Sequence, residues 1–162
     1  MRHSLFIVCL SAFLFAGCLP APYFQKDAAI PQNAWNSSFR PVFTFDITDS
    51  LSGYQPYFII RHTQAYPYSN LWVWVYVKEP GDTAVKKTRV NIVLAEASGK
   101  WLGRGMGELY EQRLPVDLSE ITGFRKTGTY QVSLEQNMRL NPLPEILNAG
   151  IRIEKIPFRD KQ

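Results

Sequence analysis

Cysteine 18 carries the most specific chemistry in this 162-residue chain. It follows Phe15-Ala16-Gly17 directly, at the end of an apolar run from Leu5 to Phe15 that opens after the basic start Arg2-His3. A basic start, an apolar stretch and a small-residue cut point make the layout of an export signal. A cysteine at the cut point turns that layout into a lipid-attachment site, although Phe15 stands where such a motif usually has Leu. Cleavage after Gly17 would leave the Cys18 sulfur as the carrier of a diacylglycerol, with a further acyl chain such as palmitate on the new N-terminus. The apolar run is shorter than the roughly 20 residues of a membrane-spanning helix. Two or more acyl chains would instead hold the chain firmly at a membrane surface. This covalent lipid is the sole cofactor expected.

Other reactive groups are sparse. Removal of residues 1–17 would take Cys9 and His3 with it, leaving His62 as the lone histidine and no cysteine to pair with Cys18. Stability in an oxidising compartment must then come from packing without a disulfide. Asp117, Glu120, Glu135 and Glu154 show no spacing that marks a general acid/base pair or a metal site. Gly103-Arg104-Gly105-Met106-Gly107 lacks the strand before it and the helix after it that a phosphate loop requires, and reads as a glycine-rich hairpin. No catalytic residue and no metal ligand is expected, and the chain reads as non-enzymatic. The 145-residue remainder would hold 17 Lys+Arg against 14 Asp+Glu. These charges are scattered, without the basic stripe of a nucleic-acid binder.

Binding chemistry is concentrated in Leu71-Trp72-Val73-Trp74-Val75-Tyr76-Val77. As a strand, this segment turns its aliphatic residues to one side and Trp72, Trp74 and Tyr76 to the other, about 6.6–6.8 Å apart. Such a row can anchor a protein partner or stack sugar rings. The competing expectation is that the tether or a long loop covers it. The preceding loop, Tyr66-Pro67-Tyr68-Ser69-Asn70, adds Tyr66, Tyr68 and Asn70 as candidate contacts, with two exposed tyrosines around a proline whose preceding bond is open to the cis form.

The elements that must position these residues are strands. Period-two alternation marks Arg40–Thr48, Tyr57–Thr63, Leu71–Lys78, Arg89–Ala97, Gly128–Gln136 and Ala149–Ile156, with a return strand from about Lys100 and short pieces at Leu114–Leu118. Pro144-Glu145-Ile146-Leu147 is expected as one helical turn with Pro144 first. Frequent turns and almost no helical periodicity predict an all-β protein, a single antiparallel β-sandwich of jelly-roll or immunoglobulin-like type with about 7–8 strands. The expected organisation is a signal peptide over 1–17, lipidated Cys18 and a flexible tether over 18–35, the sandwich over 36–158 and a tail over 159–162. Fully extended, the tether would reach roughly 55 Å.

Three phrases, YPYSNLWVWVYV at 66–77, GKWLGRGMGELY at 99–110 and GTYQVSLEQNMRLNPLPEILNAGIRIEK at 128–155, resemble the gliding-motility lipoprotein GldH family of Bacteroidota. The resemblance spans about residues 35–156. It departs at the tether and at Pro144-Glu145, where a Pro-Gly type turn would be usual. It implies a non-enzymatic envelope lipoprotein needed for gliding and linked with the associated secretion and polysaccharide use, with Cys18 as the lipidated residue. The expected partners are the membrane, through the lipid, and other envelope, gliding or secretion proteins, with polysaccharide as the alternative and no nucleic acid. Leu19 gives no inner-membrane retention signal, so the outer membrane, periplasmic side, is favoured over the inner. Asp49-Ser50-Leu51 and Asp82-Thr83-Ala84 resemble the short O-glycosylation motif of this clade, which makes Ser50 and Thr83 candidate acceptors. A third option is a small-ligand receptor with an apolar pocket between the sheets.

Overall fold

A computed structural model describes residues 23–156. Its organisation follows from alternation. In the strand Asn70–Lys78, Leu71, Val73, Val75 and Val77 are all completely buried while Trp72, Trp74 and Tyr76 remain half-exposed. Each buried aliphatic side chain contributes about 1.5–3 kcal/mol, so this strand can bury one face only. The same logic holds in Val42–Ile47 (Phe43, Phe45, Ile47 inward) and Gly128–Gln136 (Tyr130, Val132, Leu134 inward).

The strands in chain order are β1 (Phe24–Ala29), β2 (Ala34–Trp35), β3 (Val42–Ile47), β4 (Gly53–Thr63), β5 (Asn70–Lys78), β6 (Lys86–Val93), β7 (Arg104–Met106), β8 (Leu109–Pro115), β9 (Gly128–Gln136), β10 (Leu143–Pro144) and β11 (Ile146–Ile156). They form a first sheet in the order β1-β11-β4-β8-β7 and a second in the order β3-β9-β5-β6, with β10 paired to β2 in a small third. Every pairing is antiparallel. The two large sheets share one core, in which Phe58, Ile60, Ile151 and Ile153 of the first meet Phe43, Phe45, Val75 and Val132 of the second. The chain passes to the opposite sheet at β1–β3, β3–β4, β4–β5, β6–β7, β8–β9 and β9–β11. That repeated crossing is the jelly-roll topology, so of the two expected sandwich types this is the one formed.

Two segments differ from expectation. Residues 24–35, placed by the sequence within the tether, form β1, a short 3-10 turn and β2. Six residues of β1 pair with β11, from Phe24 opposite Ile153 to Ala29 opposite Asn148. Trp35, at the expected end of the tether, is completely buried, and its indole N–H donates to the Phe39 carbonyl at 2.9 Å. Gly150 permits the close approach of β1: a Cβ there would stand 2.5 Å from the Asp27 Cβ. The second difference is at Pro144. Leu143–Pro144 is extended against Ala34–Trp35, Glu145 has φ 68°, and no helical turn forms. Burial of Leu143 beside Trp35 outweighs the helix-starting preference of Pro144.

The glycine-rich segment is a hairpin, as read: β7 and β8 pair around Gly107, which has φ 63°. Leu114 and Pro115 belong to β8, and the chain leaves the sheet at Val116.

Candidate functional site

The β-pleat brings Trp72, Trp74 and Tyr76 to the outer face of the second sheet. Cross-strand register decides their neighbours. Opposite Trp72, Trp74 and Tyr76 on β6 lie Asn91, Arg89 and Lys87, and on β9 Trp74 and Tyr76 face Glu135 and Ser133. No described segment is laid over this row as a cover. The stretch expected to supply one is instead the edge strand of the other sheet.

The ring faces are nevertheless occupied. The Arg89 guanidinium carbon lies 4.3 Å from the Trp72 ring centroid, and the Lys87 ammonium lies 4.7 Å from that of Trp74 and 6.0 Å from that of Tyr76. Arg40 covers Tyr76 from the other side at 5.1 Å while its Nε donates to Glu135 at 2.8 Å. Each such contact contributes about 0.5–1 kcal/mol when exposed. The Tyr76 hydroxyl donates to Glu135 Oε2 at 2.6 Å; this bond, together with partial burial, holds the phenol above its ordinary pKa. The result is a row of aromatic rings carrying cations on their faces.

Arg89 and Lys87 make no ion pair among the described residues. The outer face of the first sheet is different, because its charges answer one another: Arg61 with Glu111, and both Arg113 and Arg152 with Glu154. On the second sheet, by contrast, Lys87 and Arg89 stand without an acidic partner beside the aromatic row, whereas a comparable unpaired cation of the first sheet, Arg104, has Glu111 as its cross-strand neighbour.

The other sequence candidates divide. Asn70 shares the face and donates its amide to Asn91 Oδ1 at 2.8 Å. Tyr66 does not: it is 4% exposed, its hydroxyl donates to the Asn70 carbonyl, and burial raises its pKa. Tyr68 is half-buried, edge-on to Tyr66 with centroids 5.9 Å apart. The Tyr66–Pro67 bond is trans; the cis bond among the described residues is Asn141–Pro142. Expecting both tyrosines of this loop to be exposed is thus corrected, because Tyr66 packs against both His62 and Trp101.

His62 is fully buried on the inner face of β4, 4.5 Å from the Trp101 ring centroid. Its Nδ1 lies 2.9 Å from the Thr63 carbonyl, its Nε2 has no partner, and burial lowers its pKa. Among the described residues no three His, Cys, Asp or Glu side chains are grouped to hold a metal ion. Thr83 is exposed in the turn after β5, whereas Ser50 is half-buried in a turn tied by Asp49 to Ser52 and Lys155. Cys18 lies outside the described residues.

Sequence reasoning missed Arg40, Lys87, Arg89 and Glu135 as parts of the face. Lys87 and Arg89 show period-two spacing in Lys86–Val93, but their match to the aromatic row depends on pairing register.

The fold and this face define an all-β sandwich domain with an aromatic and cationic strip on one outer face. The GldH lipoprotein model matches residues 22–153, and the chain belongs to that family. It is 30% identical to the gliding motility lipoprotein GldH homolog of Christiangramia forsetii, covering 94% of this chain and 95% of that protein. It is 25% identical to the gliding motility lipoprotein GldH of Flavobacterium johnsoniae, covering 92% and 94%. Among solved structures it is similar to a carbohydrate-binding module of type CBM28 specific for non-crystalline cellulose, at TM-score 0.43 and 10% identity over 84% of this chain and 73% of that one. It is also similar to part of a GH115 4-O-methyl-α-glucuronidase, at TM-score 0.39 and 13% identity over 86% and 18%. Likenesses this distant bear on neither ligand nor activity. Family membership is consistent with a place in the cell envelope.

Proposed function

We propose that this protein is a non-enzymatic component of the gliding machinery, anchored by lipid on Cys18 in the periplasmic leaflet of the outer membrane. It acts by holding another envelope protein on the outer face of its second sheet. The observation that supports this reading is the half-exposed Trp72-Trp74-Tyr76 row, uncovered by the described chain and bordered by unpaired cations. Aromatic and arginine side chains dominate protein-interface energetics, and confinement at a membrane lets modest contacts suffice.

The carbohydrate reading uses the same row but meets an obstacle. A neutral sugar stacks on a ring face, and these faces already carry Arg89, Lys87 and Arg40. Binding would have to displace them.

In-cell crosslinking of affinity-tagged full-length protein tests the proposal. Recurrent capture of particular envelope proteins, lost on Trp72→Ala or Trp74→Ala with folding intact, is the expected result. Glycan co-purifying without any protein partner, with tryptophan fluorescence responding to polysaccharide, would transfer the assignment to carbohydrate binding.

A further inference from the structure

We propose that β6 is the docking edge for an extended segment of the partner in which acidic and apolar residues alternate. The inference rests on the protein-contact reading above and names the chemistry of the partner. β6 is the last strand of the second sheet, paired to β5 along Lys86–Val93 and to nothing on its other side among the described residues. Alternate residues of such an edge turn backbone N–H and C=O groups outward, ready to pair with an added strand.

The side chains of β6 specify which strand fits. On the outer face, Lys87 and Arg89 stand two residues apart, so their heads recur at about 6.6–6.8 Å. Acidic side chains at every second position of an added strand would meet them in register. Stacking on Trp74 and Trp72 restrains both cations, so less conformational freedom is lost when a carboxylate binds. On the inner face, Val90 is partly buried against the core and Ile92 is 4% exposed. The opposite side of an added strand would therefore meet the exposed part of Val90, with Thr88 beside it. Lys86, on that inner side, is already paired with Glu79 at 3.2 Å.

Cations on an edge strand ordinarily protect it from unwanted pairing, and here they also choose. A second copy pairing through β6 would set Lys87 and Arg89 against their own counterparts, a like-charge arrangement that destabilises a sheet. An acidic strand reverses the sign. The open edge, the paired aromatic–cation contacts and the partly exposed Val90 all favour the same occupant.

The test uses full-length protein in detergent micelles and a roughly eight-residue peptide alternating Glu and Val, the length of the β6 edge. Controls are the Lys/Val peptide, a block peptide of the same Glu/Val composition, and polygalacturonate. Saturable binding of the alternating acidic peptide is expected, with amide-exchange protection at Lys86–Val93 and altered tryptophan fluorescence. The double variant Lys87→Glu/Arg89→Glu should weaken it at least about tenfold and gain affinity for the Lys/Val peptide. If that variant does not fold, Lys87→Gln/Arg89→Gln should still weaken binding of the acidic peptide.

No saturable peptide binding, equal binding of the Lys/Val peptide, or equal binding of the block peptide or polygalacturonate without β6 protection would each overturn the inference. If the peptide fails while cellular crosslinks through Trp72 persist, only this inference falls. If the crosslinks fail too, the protein-contact reading falls with it.

Discussion

Two tryptophans on opposite sides of the burial divide show how the single-residue environment sets the contribution of a side chain to stability. Trp35 is fully enclosed and hydrogen-bonded, so Trp35→Ala should cost about 3–5 kcal/mol in urea unfolding. Trp72 is half-exposed under Arg89, and Trp72→Ala should cost less than about 2 kcal/mol, from lost partial burial and one cation–π contact. A large loss for Trp72→Ala would place it in the core and remove it from the proposed docking face. His62 offers a pH test. Its folded-state pKa lies below the ordinary 6.5 because it is buried, so the unfolded chain takes up the proton first as pH falls. Its contribution is then fully present above about pH 6.5 and declines below it, by at most about 1.4 kcal/mol per pH unit. Urea titrations between about pH 5 and 7 should show this slope in the native protein and a shallower one in His62→Phe. Equal slopes would mean that the imidazole is not the group responsible.

At the scale of elements, β1 is where folding is most open to challenge. Four of its six residues, Gln25, Lys26, Asp27 and Ala29, are exposed, so its hold on the domain is its ladder to β11 and the packing of Phe24 and Ala28, with Phe24 stacked on Phe45. Gly150→Val would drive a side chain into Asp27 and the Lys26 carbonyl. Amide exchange over Phe24–Ala29 should rise sharply in that variant, while β5 and β9 keep their protection. Unchanged exchange would show that β1 is held by something other than this close approach. The strands that sequence reasoning found are those with an inward apolar triplet or more: Phe43, Phe45 and Ile47 mark β3, and Tyr130, Val132 and Leu134 mark β9 at its observed limits, Gly128–Gln136. FQKDAA in β1 has no such alternation. Its extended state comes from the free edge of β11, more than a hundred residues later, which a local pattern does not contain. Pro144 failed as a helix start for the same reason, since its conformation answers to Trp35.

For the molecule as a whole, the early start of the domain shortens the reach that the proposed lipid anchor would allow. A lipid on Cys18 would stand five Cα steps from Tyr23, a reach of about 18 Å at most, against the roughly 55 Å expected for a tether to residue 35. Inserting a flexible Gly/Ser segment before Tyr23 should lower the yield of partner crosslinks by diluting the domain near the surface. An unchanged yield would mean that reach does not limit docking. Sequence alone established the signal-and-cysteine pattern, the all-β class and the aromatic row, because each is written in neighbouring residues at spacings of one, two or three. Tertiary structure alone decided that the tether region becomes an edge strand, that Tyr66 is core, and that Arg40, Lys87 and Arg89 sit over the rings. Those outcomes depend on which strand lies beside which and in what register, a matter of burial and hydrogen bonding between segments far apart in the chain.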